Sequence, residues 1–250
     1  MSRDKYLILL TNDDGVGAEG LLTLKRHLAE LGRVVVVAPY EERSGVSHGL
    51  TIHFPLRQVE ISRDHYALTG TPADCVLFAV RKLLPRPPDL VVSGINHGPN
   101  LGDDILYSGT VAGAREAALH ELPAFAVSLV TGRNSNQGFE AAAKFTCTLI
   151  QELLPNWVSK GTYLNVNIPA GEPREYRFTR QGTKRVISHI EEKKDPRGRT
   201  YYWIGPDESE WLVEADTDYE AIQEGVVSIT PLHRDQTDYR SLKLYHQNSR

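Results

Sequence analysis

The chain has 250 residues, with 28 Lys and Arg against 32 Asp and Glu and a formal net charge of −4. That length suits one large α/β domain, alone or with an appendage, and buries a full core. The charge gives no footing for nucleic-acid or anionic-membrane binding, and no apolar stretch approaches membrane-spanning length.

Residues 1–5 are polar and lead directly into an apolar run, without a signal-peptide pattern. Cys75 and Cys147 each fall inside apolar helical patterns, so reduced, buried thiols and a cytoplasmic location are expected. Residues 7–10 are strand material, too short and apolar for a globular helix. Thr11, Asn12, Asp13 and Asp14 stop that strand with four consecutive oxygen-bearing side chains. Gly15 and Gly17 turn the backbone, and Leu21, Leu24, Leu28 and Leu31 then recur at helical spacing. Two adjacent aspartates at the carboxyl end of a buried strand are costly unless something positive neutralises them. The next cation in the sequence is Lys25, so a bound divalent cation is the economical reading.

The same residues support a competing reading. Gly15, Gly17 and Gly20 match G-x-G-x-x-G, and Glu41 follows near the distance of a ribose-binding acid. A pyrophosphate on that helix start would meet Asp13 and Asp14, whose like charge repels it. A third reading makes Asp13 a helix N-cap and Asp14 a first-turn acid.

Further on, Gly32 reads as a helix stop and residues 34–38 as a parallel strand buried on both faces. Residues 40–49 form a polar loop. Residues 51–56 and 59–68 read as two shorter strands, possibly antiparallel. A helix is expected through residue 84, with Thr71 as N-cap, Pro72 at its first position and Asp74 completing a capping box, roles favoured over ligand roles. After a proline-rich connector, a strand is expected at residues 89–93, ending in the polar stretch 93–100. Residues 101–107 read as a polar loop in which Asp103, Asp104 and Tyr107 are architecture. Ser108, Gly109 and Thr110 open an alanine-rich helix; one of the two hydroxyls caps it. Residues 123–130 and 163–168 read as strands flanking a loop at 131–138 and an amphipathic helix at 139–154. Asn165 and Asn167 share one strand face and serve buried backbone. Strands alternating with helices give an α/β class, a Rossmann-like, doubly wound and mainly parallel sheet.

Beyond Pro169 the texture changes. Residues 176–190 and 199–205 read as a long hairpin carrying Tyr201, Tyr202 and Trp203, suited to packing on a partner subunit or on its own domain. A short helix at 219–224 and a last strand at 226–230, able to rejoin the main sheet, complete the pattern. The expected division is a catalytic core over residues 1–169 and an oligomerisation extension over 170–250.

Ligands of open parallel sheets gather at the carboxyl ends of strands, where three loops emerge: 12–17, 40–49 and 94–110. Their oxygen donors include Asp13, Asp14, Ser44 and Asn96, a hard set that selects Mg²⁺ or Mn²⁺ over zinc. A helix start at Ser108-Gly109-Thr110 offers N–H groups and hydroxyls to an anion. A hard cation beside such a helix start is suited to a phosphoryl group. His48 and His97 lie in the right loops to act as acid, base or substrate contact, or are plain loop residues.

TNDDG, APYEERSGVSHGLT, GTPADCV, SGINHGPNLGDDILYSGTVAGA and TDYEAIQEGVVSITPL occur in that order over nearly the whole chain. Together they resemble the stationary-phase survival protein (SurE) family. The resemblance implies a metal-dependent nucleotidase that releases phosphate from nucleoside 5'- or 3'-monophosphates, as a dimer or tetramer with segments sometimes exchanged. It implies that Asp13, Asp14, Ser44 and Asn96 hold one Mg²⁺ or Mn²⁺ per subunit. Asn12, Gly45, Ser108, Gly109 and Thr110 then fall at the phosphate site, with Asp13, Asn12, Ser108 and Thr110 in catalytic roles. A dinucleotide oxidoreductase and a non-catalytic nucleotide-binding protein are the alternatives.

Overall fold

The computed structural model describes residues 6–131, 138–157, 159–187, 190–204 and 208–248. The first strand, β1 (Tyr6–Thr11), is followed by α1 (Glu19–Leu28) and β2 (Gly32–Pro39). A small hairpin, β3 (Gln58–Ser62) and β4 (His65–Leu68), leads to α2 (Pro72–Phe78) and β5 (Leu90–His97). Then come α3 (Gly109–Leu119), β6 (Ala124–Val130), α4 (Phe139–Leu153) and β7 (Thr162–Pro169). The last third holds β8 (Tyr176–Phe178), β9 (Lys184–Ile187), β10 (Ile190–Lys194), β11 (Thr200–Ile204) and β12 (Glu208–Trp211). It closes with α5 (Asp218–Gln223), β13 (Val227–His233) and α6 (Tyr239–Asn248).

Nine strands form one sheet in the order β3-β4-β2-β1-β5-β6-β7-β13-β8. From β4 to β7 every pairing is parallel; β13 runs antiparallel to β7, and β8 parallel to β13. The chain leaves β1 toward β2 on one side and returns to β5 on the other. The crevice where strand order reverses therefore opens at the carboxyl ends of β1 and β5. Both sheet faces are covered, as an apolar parallel sheet requires. One core packs Leu21, Leu24 and Leu28 of α1 and Phe139, Leu149 and Ile150 of α4 onto Ile8, Leu10, Val36 and Val92. The opposite core packs Cys75 and Val76 of α2 and Val111, Ala114 and Ala117 of α3 onto Leu7, Leu9, Val35 and Val91.

Several local expectations are corrected. Gly32 is not a helix stop: α1 ends at Leu28 with Ala29 as its cap in ordinary helical conformation, and Gly32 opens β2. A Cβ there would lie 2.0 Å from the Tyr6 carbonyl oxygen, so the requirement is close strand approach. Residues 51–56 form no strand; Ile52 and Phe54 are exposed, and Thr51 instead donates to the Asp74 carboxylate from N–H and hydroxyl. Residues 59–68 are a hairpin rather than one strand, turning at Asp64 with φ 57°. The helix from Thr71 has the expected capping box but is α-helical only to Phe78, continuing as one π-turn over Ala79–Leu83. β5 runs on to His97, so Gly94 to His97 end a strand instead of forming a loop. The long strand expected at 176–190 is broken. β8 joins the main sheet, β9 pairs with β12, and β10 pairs with β11. Residues 132–137 of the expected loop, and 188–189 and 205 of the expected hairpin, lie outside the described residues.

Asp218 ties the last third to the sheet's crevice. Its fully buried carboxylate accepts N–H bonds from Gly102 (2.9 Å), Gly182 (2.9 Å) and Tyr219 (2.8 Å). Replacing it with Ala orphans buried donors, each costing about 1–3 kcal/mol. Asp218→Ala is therefore expected to lose about 2–5 kcal/mol, lowering the melting temperature by roughly 5–15 °C. A melting curve superimposable on the wild type would contradict this.

Candidate functional site

The tight turn after β1 sets the site. Asp13 is buried and Asp14 half-buried, five or more residues ahead of α1, whose N-cap is Ala18 with no side-chain cap. Capping therefore does not account for the pair. Asn12 donates from Nδ2 to the Gly15 carbonyl (3.0 Å), closing the turn, while its buried Oδ1 has no hydrogen-bond partner among the described residues. Gly20 lets α1 lie on β5, where a Cβ would come within 2.1 Å of the Ile95 carbonyl oxygen. That approach brings the Asp13-Asp14 turn beside the end of β5.

The start of α3 meets Asp13 from the other side. Thr110 donates its hydroxyl to Asp13 Oδ1, and the N–H groups of Gly109 and Thr110 also point at this carboxylate. A Cβ at Gly109 would sit 2.8 Å from Asp13 Oδ2, so the contact needs glycine. The anion at this helix start is Asp13 itself, where the helix dipole favours it. Asp14 accepts an N–H bond from His97.

A cavity of about 310 Å³ opens in front of these groups, lined by Asp13, Asp14, Glu42, Ser44, Gly45, Asn96, His97, Asn100, Asp104, Tyr107 and Ser108. Six of the sequence-derived candidates thus meet there: Asp13, Asp14, Ser44, Gly45, Asn96 and Ser108. Asn12, Gly109 and Thr110 are buried behind the wall and support Asp13 rather than line the pocket. His97 lines the pocket, whereas His48 is turned to Glu116 at 2.8 Å.

Glu42, Asn100, Asp104 and Tyr107 complete the lining, and sequence reasoning either passed over them or assigned them to loop architecture. Glu42 accepts the Ser44 hydroxyl (2.8 Å); its place two residues before Ser44 was the available signal. Asn100 is held from all sides. Its N–H reaches Asn167 Oδ1 (2.8 Å), its amide reaches Ser128 (2.8 Å), and its carbonyl accepts from Asn165 (2.8 Å) and Asn167 (3.0 Å). The β7 asparagines therefore serve buried backbone, as their shared strand face suggested.

The electrostatics favour a cation. Burial pushes the Asp14 carboxyl up to about 7; the Asp13 charge adds to the shift, and the His97 N–H opposes it. Burial raises Asp13 as well, against the Thr110 hydroxyl and the helix-start N–H groups. Among the described residues no Lys or Arg lines the cavity, and Asp13, Asp14 and Glu42 have no salt-bridge partner. Ser44 gives its proton to Glu42 and Asn96 gives its amide N–H to Gly98 O (2.9 Å). Each is left with an oxygen as its acceptor. Among the described residues no three His, Cys, Asp or Glu side chains gather in metal-binding geometry. Two acids with neutral oxygens fit a hard ion that keeps several waters, such as Mg²⁺, and do not fit zinc.

The raised Asp14 pKa has a definite sign. The folded state holds this proton more tightly than an unfolded carboxyl near 3.8, so ionisation opposes folding increasingly as pH rises from there to about 7 and levels off above. In chelator at pH 8, Asp14→Asn should melt above the wild type, by about 2–4 °C for each kcal/mol relieved. Its advantage should vanish at pH 4. A variant melting at or below the wild type at pH 8 would contradict the assignment.

The family model described as Survival protein SurE matches residues 8–188. The chain is 49% identical over 240 residues to "5'-nucleotidase SurE" of Pelobacter propionicus, covering 95% of this chain and 97% of that protein. It is 48% identical over 241 residues to the protein of the same name from Geobacter sulfurreducens, covering 95% and 91%. Among solved structures, the SurE protein of Aquifex aeolicus superposes with a TM-score of 0.84 at 43% identity, covering 98% of this chain and 100% of that one. A parallel sheet with an acid-lined crevice at its switch point, matched nearly end to end in sequence and fold, places this chain in the SurE survival protein family.

Proposed function

We propose that the chain is a divalent-metal-dependent phosphomonoesterase that hydrolyses nucleoside 5'-monophosphates, and also 3'-monophosphates, to nucleoside and phosphate. The observation that carries this reading is the pair Asp13 and Asp14, side by side in a crevice that no Lys or Arg lines among the described residues. Relatives named 5'-nucleotidase supply the substrate class. Asp13, Asp14, Ser44 and Asn96 are the residues that would hold Mg²⁺ or Mn²⁺. Bound there, such an ion polarises a phosphate oxygen and lowers the pKa of water.

The chain's own groups divide the remaining work. Gly109 and Thr110 orient Asp13 and oppose the upward shift that burial imposes on it, and the His97 N–H does the same for Asp14. Ser108 accepts from the Val111 N–H (3.1 Å) as the α3 cap, leaving its hydroxyl proton for a phosphate oxygen, and Gly45 lines the same pocket. His97 lines the same pocket, and we assign it as the general acid for the leaving ribose oxygen. Asn12 closes the turn that presents both aspartates.

A dinucleotide-dependent oxidoreductase would need a pyrophosphate near the same turn, against the two aspartates. We also place the protein in the cytoplasm, in keeping with two free cysteines. Among the described residues no helix is long and apolar enough to cross a membrane. Self-association is proposed through the β10–β11 ribbon and α6, which leave Tyr202, Trp203, Ile204, Leu244 and Tyr245 exposed.

Phosphate release from a panel of nucleoside monophosphates, with Mn²⁺ or Mg²⁺ added or stripped, tests the reading. Activity should vanish in chelator and return with metal. Asp14→Asn should lower kcat/KM by about 10²-fold or more, the loss of roughly 2.7 kcal/mol of transition-state stabilisation. Metal-independent turnover, or an Asp14→Asn enzyme of wild-type rate, would overturn it.

A further inference from the structure

Asp104 is an acid on the wall of a pocket that must admit a phosphate dianion. Its carboxylate does not face that pocket unpaired. Lys184, at the start of β9, places Nζ 2.9 Å from Oδ1 and 2.8 Å from Oδ2. The lysine is itself largely buried, its side chain 11% exposed, so this pair is screened less than a surface one.

Lys184 is held in place by the same C-terminal segment. It pairs across the ribbon with Trp211, and its Nζ lies 5.6 Å from the indole ring. Trp211 in turn stacks on Tyr219 with centroids 4.2 Å apart and packs against Gly102, where a Cβ would come within 2.9 Å of the ring. Asp104 is also central to its own loop, since its carbonyl accepts the N–H groups of Tyr107 (3.0 Å) and Ser108 (3.1 Å). The residue that Lys184 neutralises therefore also sets the entry to α3.

Resting on the phosphomonoesterase reading, we propose that Lys184 is a positioning residue contributed by the C-terminal ribbon: it cancels the charge of Asp104 so that a phosphate dianion can settle beside it. Without this lysine the pocket carries a fourth uncompensated acid beside Asp13, Asp14 and Glu42. A bound dication offsets only two of these charges, so the penalty falls on anion binding.

The test compares wild type, Lys184→Gln, Lys184→Arg, Asp104→Asn and the double variant Asp104→Asn/Lys184→Gln, all with Mn²⁺ and a nucleoside 5'-monophosphate. Lys184→Gln should raise KM about tenfold, the scale of one partly solvated charge against a dianion, with kcat changed less than about threefold. The rise should shrink as salt is added. Lys184→Arg and the double variant should return KM to within about threefold of wild type. Asp104→Asn alone should not raise it, because it leaves a cation at the wall. Calorimetric titration of inorganic phosphate in Mn²⁺ should give the same ranking of affinities without turnover. A Lys184→Gln enzyme with wild-type KM and phosphate affinity, or a double variant no better than Lys184→Gln, would overturn the inference. Wild-type protein that binds phosphate in this ranking but releases none from nucleotides would overturn the phosphomonoesterase reading instead.

Discussion

Two neighbouring carboxylates at the end of a buried strand repel each other and lose hydration together. In this chain Asp13 and Asp14 carry that cost with only partial relief from the protein. The α3 start supplies Asp13 with a hydroxyl and two N–H groups, and the last residue of β5 supplies Asp14 with one. No lysine or arginine among the described residues reaches the cavity. The arrangement is therefore incomplete as a charge system, and that incompleteness is what the proposed hard cation rests on. On the proposed reading, stability given up at the turn is the counterpart of affinity for that ion.

Much of the surrounding backbone is arranged to permit this convergence. Gly20 brings α1 onto β5 and Gly109 brings α3 onto Asp13, each at a distance where a side chain would collide with the neighbour. Beneath the pocket, Asn165 and Asn167 extend from β7 to hold Asn100, while Asp218 holds Gly102 from the far end of the sequence. These buried polar links leave the 98–108 segment few alternative conformations, since each broken link would strand a donor or acceptor away from water.

The last third of the chain is thus both sheet and clamp. β8 and β13 extend the main sheet beyond β7, and the segment around β9, β12 and α5 grips the loop that forms one pocket wall. Asp104 and Lys184, 80 residues apart in sequence, become one neutral pair at that wall. On the proposed reading, the charge that an entering phosphate would meet is set partly by a ribbon outside the parallel core.

Local pattern alone determined the alternation of strands and helices, the capping box at Thr71-Pro72-Asp74 and the polar turn at Asp13-Asp14 after the first strand. Each of these depends on residues within one or two turns of each other, so their spacing is visible in the chain. Tertiary structure decided the rest. Glu42, Asn100 and Asp104 became pocket walls because separate strand ends met, and the Thr110 hydroxyl meets Asp13 because the start of α3 packs on that turn. Gly32 proved to be a strand contact, since only the neighbouring β1 backbone shows what a side chain there would strike. Long-range approach and shared burial fix such roles, and neither leaves a periodic trace in sequence.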